Sequence, residues 1–228
     1  MELRRILLRP PQLKPQFGPT LPELLAPRMA NLPRIVKRVV AVLVAIVVAI
    51  VIVVVLRSQD PVFTHNGPPA SFTTSYSRAF TREPVSGNVL LKLIQNSSVG
   101  LEASFEIQTL RLPRYGGEIS GLLPVVASVM IARMQASDPS FIPWSRGRTR
   151  INKIPGYTFT FQRTIDGRRF WGRDVLITPH LQGDRSGLLM TMLTDPQPLL
   201  PIATKPVTPD SVGSVGILFE PYERLRFH

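Results

Sequence analysis

The chain has 228 residues, a formal net charge of +12, and 27 Lys and Arg against 15 Asp and Glu. It has no cysteine, which excludes disulfides and thiolate chemistry, so any folded domain must be held together by packing. Setting aside a 38-residue basic tail and an 18-residue apolar run leaves 172 residues, enough for one ordinary domain and a linker.

Residues 1–28 carry six prolines, Pro10, Pro11, Pro15, Pro19, Pro22 and Pro27. That density predicts a loose, extended tail, with Pro19-Thr20-Leu21-Pro22 at PxxP spacing. Met29 reads as an alternative start, because Met29 to Leu56 makes a compact signal anchor by itself. Val39 to Leu56 is eighteen consecutive residues of Val, Ala, Leu and Ile. As a helix it covers roughly 27 Å, close to a bilayer's hydrocarbon core, and a single open strand in lipid would leave its backbone unpaired. The expectation is a transmembrane helix over 39–56. A cleavable signal peptide fits less well, because Val54-Val55-Leu56-Arg57-Ser58 offers no small-x-small site. Arg28, Arg34, Lys37 and Arg38 precede the run and Arg57 alone follows closely. The expected orientation is therefore cytoplasmic for the N-terminus and extracytoplasmic for residues 57–228, at a bacterial cell membrane. Ala41, Ala45 and Ala49 recur every four residues, a small-xxx-small seam that predicts a parallel homodimer through the anchor. The plainer alternative is filler among valines.

Residues 57–87 mix Ser, Thr, Pro and Gly and read as a linker, with the folded domain over 88–228. Leu101 to Leu110 alternates through Ala103, Phe105, Ile107 and Thr109, which predicts a half-buried strand. A helix follows from a Ser120 cap to about Ala136, with Leu122, Val126, Val129 and Met130 toward the sheet. Tyr157, Phe159 and Phe161 alternate with polar residues up to Asp166-Gly167, the signature of a two-residue type I′ hairpin. That register puts Phe161 opposite Gly172, Tyr157 opposite Leu176 and Arg163 opposite Phe170. A turn is expected at Gln182-Gly183-Asp184-Arg185, a strand over Gly187–Leu193, a proline loop from Pro196 to Pro209, and a last strand over Val212–Phe219. A short terminal element, Tyr222–His228, ends the chain. The fold class is α+β: an N-terminal transmembrane helix plus an antiparallel sheet with one helix packed on a face.

This pattern resembles the PsbP-like family of exported α+β domains. The likeness lies in Leu110-Arg111-Leu112-Pro113 ending a strand, the helix after it, Ile154-Pro155-Gly156-Tyr157 leading into a hairpin, and Gly187-Leu188-Leu189-Met190-Thr191-Met192-Leu193. The resemblance implies an accessory role, docking on membrane complexes without chemistry of its own. The tail, single anchor and ectodomain are also similar to the small membrane-anchored accessory proteins of bacterial lipid-import operons.

Nothing in the sequence assembles a catalytic or metal constellation. His65, His180 and His228 stand at no metal-ligand spacing, and no cofactor motif is present. Gly183-Asp184-Arg185-Ser186-Gly187 is not a nucleophile elbow, because Asp184 occupies the position that needs glycine. The functional candidate is electrostatic. Eight basic residues lie between Arg146 and Arg173 with only Asp166 opposing. Arg163, Arg168, Arg169, Trp171 and Arg173 are the candidate binding residues, with Arg169, Trp171 and Arg173 on the hairpin face opposite the aromatic core. The expected function is a non-enzymatic, membrane-tethered accessory domain. Its expected partners are the bilayer, an anionic lipid or wall polymer, or a membrane protein complex, and not nucleic acid. The alternatives are a solvated sheet face and a cell-envelope hydrolase with unassigned carboxylates.

Overall fold

The computed structural model describes residues 33–58, 60–117, 119–179, 185–196 and 207–228. The proline-rich tail, the turn expected at Gln182-Gly183-Asp184 and most of the proline loop lie outside the described residues. The chain divides into two compact units, Met1–Gln59 and Asp60–His228.

In the first unit, Arg34–Ser58 forms one helix, α1. The expectation of a transmembrane helix is corrected: among the described residues no helix is long and apolar enough to cross a membrane. Ala41, Ala45 and Ala49 lie along one exposed side of α1.

The second unit is a mostly antiparallel β structure. Residues 60–87, expected as linker, carry β1 (Val62–His65), β2 (Phe72–Ser75) and β3 (Thr81–Arg82). Phe72, Tyr76 and Phe80 are buried in the core, so this segment belongs to the domain. Next come β4 (Val89–Ser97), β5 (Gly100–Arg111), the helix α2 (Ile119–Ser137) and β6 (Ile142–Ile151). Then follow β7 (Ile154–Ile165), β8 (Arg168–Ile177) and β9 (Ser186–Thr194). A 3-10 turn at Pro209–Ser211, the short helix α3 (Phe219–Glu223) and β10 (Arg226–Phe227) close the chain. The main sheet has seven strands in the order β3-β4-β5-β9-β8-β7-β6, and a small second sheet has the order β1-β2-β10.

The hairpin over β7 and β8 has the expected register, with Phe161 opposite Gly172, Tyr157 opposite Leu176 and Arg163 opposite Phe170. Asp166 and Gly167 both adopt positive φ, 49° and 77°, as a type I′ turn requires. A Cβ on Gly172 would sit 2.2 Å from the Phe161 ring, so the aromatic needs glycine beneath it.

Both faces of the main sheet are covered. On one, Leu122, Leu123 and Ala127 of α2 pack on Phe159, Phe161, Leu176, Leu189 and Leu193. On the other, the small sheet and the C-terminal segment bring Phe72, Val212, Leu218 and Leu225 onto Phe105, Ile107, Val175 and Met190. The single-helix, one-face expectation is therefore corrected to a sheet with a layer on each side. The C-terminal strand expected over Val212–Phe219 is also corrected. Gly213 and Gly216 have φ of 78° and 73°, which no strand accommodates, and the segment folds as turns leading into α3.

Candidate anion-binding groove

Alternation along β8 divides the sequence-predicted residues between the two faces. Trp171 and Val175 belong to the core beneath the small sheet, whereas Leu176 belongs to the core beneath α2. Arg169 and Arg173 share Trp171's parity, and Arg168 and Arg163 share that of Phe170 and Phe161. The structure does not gather them into one site. The face of Trp171, expected to be open, is covered: Trp171 is half-buried, its ring 6.2 Å from that of Trp144.

Three of the four hairpin arginines are engaged internally. Arg163 pairs with Asp138 at 3.4 Å, just past the end of α2. The Ser140 hydroxyl and amide hold the Asp138 carboxyl below the usual carboxylate range. Arg168 donates through Nη1 to the Val99 carbonyl at 2.9 Å, forms an ion pair with Asp195, and lies 5.6 Å from the Phe170 ring centre. Arg173 donates through Nη2 to the Asp210 carbonyl at 2.6 Å and holds the C-terminal segment against the sheet. Arg169 is exposed and lines a hollow of about 370 Å³ with Arg168, Asp195 and Pro196.

The sequence expectation passed over β6, an edge strand bearing Arg146, Arg148 and Arg150 at alternate exposed positions. Arg146 reaches the Ser128 hydroxyl of α2 at 3.4 Å, so this row lies on the α2 side of the sheet. Charge at alternate positions on an edge also discourages pairing with another sheet.

Asp174 is completely buried on the α2 side, opposite Phe159 and Thr191. Burial pushes its carboxyl up to about 7, Arg163 pulls it down, and Glu106 raises it. Thr191 offsets part of the rise, yet neither carboxyl oxygen has a hydrogen-bond partner among the described residues. Asp195, just past the end of β9, meets Glu102 of β5, its amide donating to the Glu102 carbonyl at 2.7 Å. Gln95 Nε2 donates to the Glu102 carboxylate at 3.0 Å, and Arg168 pairs with Asp195. Among the described residues no group of three or more potential metal ligands occurs.

The remaining feature lies beside α2. Its stretch from Leu122 to Ala132 is uncharged, and it carries two apolar stripes rather than one. Leu122, Leu123 and Ala127 are buried against the sheet, while Val125 and Val129, expected or adjacent to the sheet-facing set, are 55% and 46% exposed. Val129 was expected to face the sheet and does not, because Leu123 and Ala127 occupy that position. Val126 and Met130 pack part-buried against that core, as expected, and with Val125 and Val129 they line a groove of about 590 Å³ together with Leu110, Leu112 and Pro113. Where β5 leaves the sheet, the Leu112 amide donates to the Arg185 carbonyl at 2.7 Å and fixes that side of the groove beside the start of β9. Arg111, Arg114, Arg133 and Arg185 also line the groove, with no carboxylate among its described residues. All four are exposed, and none makes a side-chain ion pair or hydrogen bond among the described residues. Arg111 and Arg185 also border a second hollow of about 610 Å³ beside Pro68 and Pro69. Sequence reasoning did not single out these arginines. The available signal was the excess of apolar residues on α2, more than one buried face can use.

No protein-family model matches the chain, and no curated protein matches it in sequence. Solved structures that superpose on part of it include cyanobacterial PsbP from Synechocystis, at 10% identity, covering 75% of this chain and 95% of that one, with a TM-score of 0.45. The Ran-binding protein Mog1p of Saccharomyces cerevisiae gives 8% identity, 74% and 96% coverage and a TM-score of 0.44. LpqN of Mycobacterium tuberculosis, involved in cell envelope biogenesis, gives 9% identity, 60% and 80% coverage and a TM-score of 0.42. At these identities and TM-scores the likeness extends to neither family nor function.

Proposed function

We propose that the 60–228 unit is a non-enzymatic accessory domain that binds an anionic component of a cell envelope or an acidic protein partner. Its binding surface is the groove beside α2 rather than the hairpin. One observation carries this reading: four arginines with no partner among the described residues line a groove beside exposed Val125 and Val129, and none of its described lining residues is acidic. Guanidinium groups in that state retain their full hydrogen-bonding capacity for carboxylate or phosphate, and the apolar floor lowers the local dielectric around them. The hydrolase alternative lacks comparable support, since Asp174 is sealed and lines none of the hollows described above.

The test is retention of the full-length chain on an anionic matrix across a salt gradient. Wild type is expected to elute late, and a variant with Arg111→Gln, Arg133→Gln and Arg185→Gln is expected to elute at distinctly lower salt. Equal elution of the two would remove the groove from the account.

A further inference from the structure

We infer that the ligand of this groove is a single-chain anionic amphiphile. Its acyl chain lies along the α2 wall and its carboxylate or phosphate head meets the arginine rim. The inference rests on the anion-binding reading above and goes further by naming the ligand's shape. A small inorganic anion would use the guanidinium groups and leave the valines idle. An acidic peptide would meet only a narrow strip of apolar surface. The two components occur together here: exposed Val125 and Val129 on one turn-to-turn stripe, and Arg133 on the same stripe one turn further along. A helix stripe with apolar residues leading to a cation is the complement of an apolar chain ending in an anion. The volume of about 590 Å³ lies within the range of small-ligand sites. The floor's exposure also calls for an occupant, because α2 has already buried a complete face against the sheet.

The experiment uses the full-length chain and a fluorescent probe, 11-(dansylamino)undecanoate, displaced by hexanoate, octanoate, decanoate and dodecanoate below their micelle concentrations. Displacement is expected to strengthen about two- to threefold per added methylene, less than full burial would give because the groove is half open. Arg111→Gln or Arg185→Gln should weaken dodecanoate about tenfold, and its methyl ester should fail to compete. Val129→Asp should abolish the chain-length dependence, with the melting temperature showing that the fold is retained. If hexanoate, dodecanoate and inorganic phosphate compete equally, the groove binds anions but the amphiphile inference is overturned. A chain-length dependence unchanged by Val129→Asp would place the chain elsewhere, with the same consequence. Absence of any saturable binding at low salt would remove both readings.

Discussion

In the β7–β8 hairpin, Arg163, Arg168 and Arg173 each reach a partner within the fold, whereas Arg111, Arg114, Arg133 and Arg185 around the α2 groove reach none among the described residues. The hairpin is the denser basic stretch in sequence, yet its cations are the less available. A long side chain in a paired strand lies beside neighbouring strands and covering segments, where carbonyls and carboxylates are within reach. Arginines at a strand end, on the outer stripe of a helix and at the first turn into a strand project over a gap instead. Charge density along a chain therefore does not measure the charge offered to a partner. Register and layer order decide that.

The comparison predicts that the hairpin behaves as a structural element, and its most severe test is Gly172→Val. With even a Cβ placed 2.2 Å from the buried Phe161 ring, the variant should lose more than about 3 kcal/mol of stability or fail to fold. A variant that melts like wild type would mean the ring and the glycine do not pack as described.

Asp174 gives the next largest effect. Its folded pKa of about 7 lies above the ordinary carboxylate value, so the folded state binds the proton more tightly than the unfolded state. Its cost is absent below about pH 4, grows as pH rises through the interval to about 7, and is constant above it. Wild type should lose roughly 3–4 kcal/mol of stability relative to Asp174→Asn between pH 4 and pH 8, read from paired denaturant melts. Parallel pH profiles for the two proteins would show that this carboxyl is not sealed.

Neighbouring Arg168 and Arg169 sharpen the contrast at a smaller scale. Arg168→Gln removes the ties to Val99 and Asp195 and should cost about 1–2 kcal/mol, whereas Arg169→Gln should fall within about 0.5 kcal/mol of wild type. Similar losses from both would erase the distinction between an engaged and an available cation. Smallest of all, each groove substitution to Gln should leave stability within about 0.5 kcal/mol, checked by the same melts.

How much was legible depended on whether local chemistry alone determined the outcome. Asp166-Gly167 between alternating runs fixed a hairpin register that the structure reproduces pair for pair, because a two-residue turn leaves no freedom in strand alignment. Residues 60–87 misled, since Ser, Thr and Pro dominate the composition while Phe72, Tyr76 and Phe80 supply the burial. Threonine and aromatics are good strand residues, and aliphatic content was the wrong measure. Strand β6 was hidden because arginine at alternate positions has the period of a strand without its hydrophobic contrast. Over Val212–Phe219, Val212 and Leu218 are buried, but positive φ at Gly213 and Gly216 curls the backbone and Phe219 is exposed. The groove was half visible: the apolar excess on α2 could be counted, whereas its meeting with Arg111, Arg114 and Arg185 depends on long-range packing.

The most direct test compares two variants by melting temperature and by salt-dependent retention on an anionic matrix. One carries Arg111→Gln, Arg133→Gln and Arg185→Gln; the other carries Arg168→Gln and Arg173→Gln. The account predicts that the groove variant keeps its melting temperature and loses retention, while the hairpin variant melts several degrees lower and elutes close to wild type, displaced only by its two lost charges. Loss of retention in the hairpin variant with none in the groove variant would contradict the account.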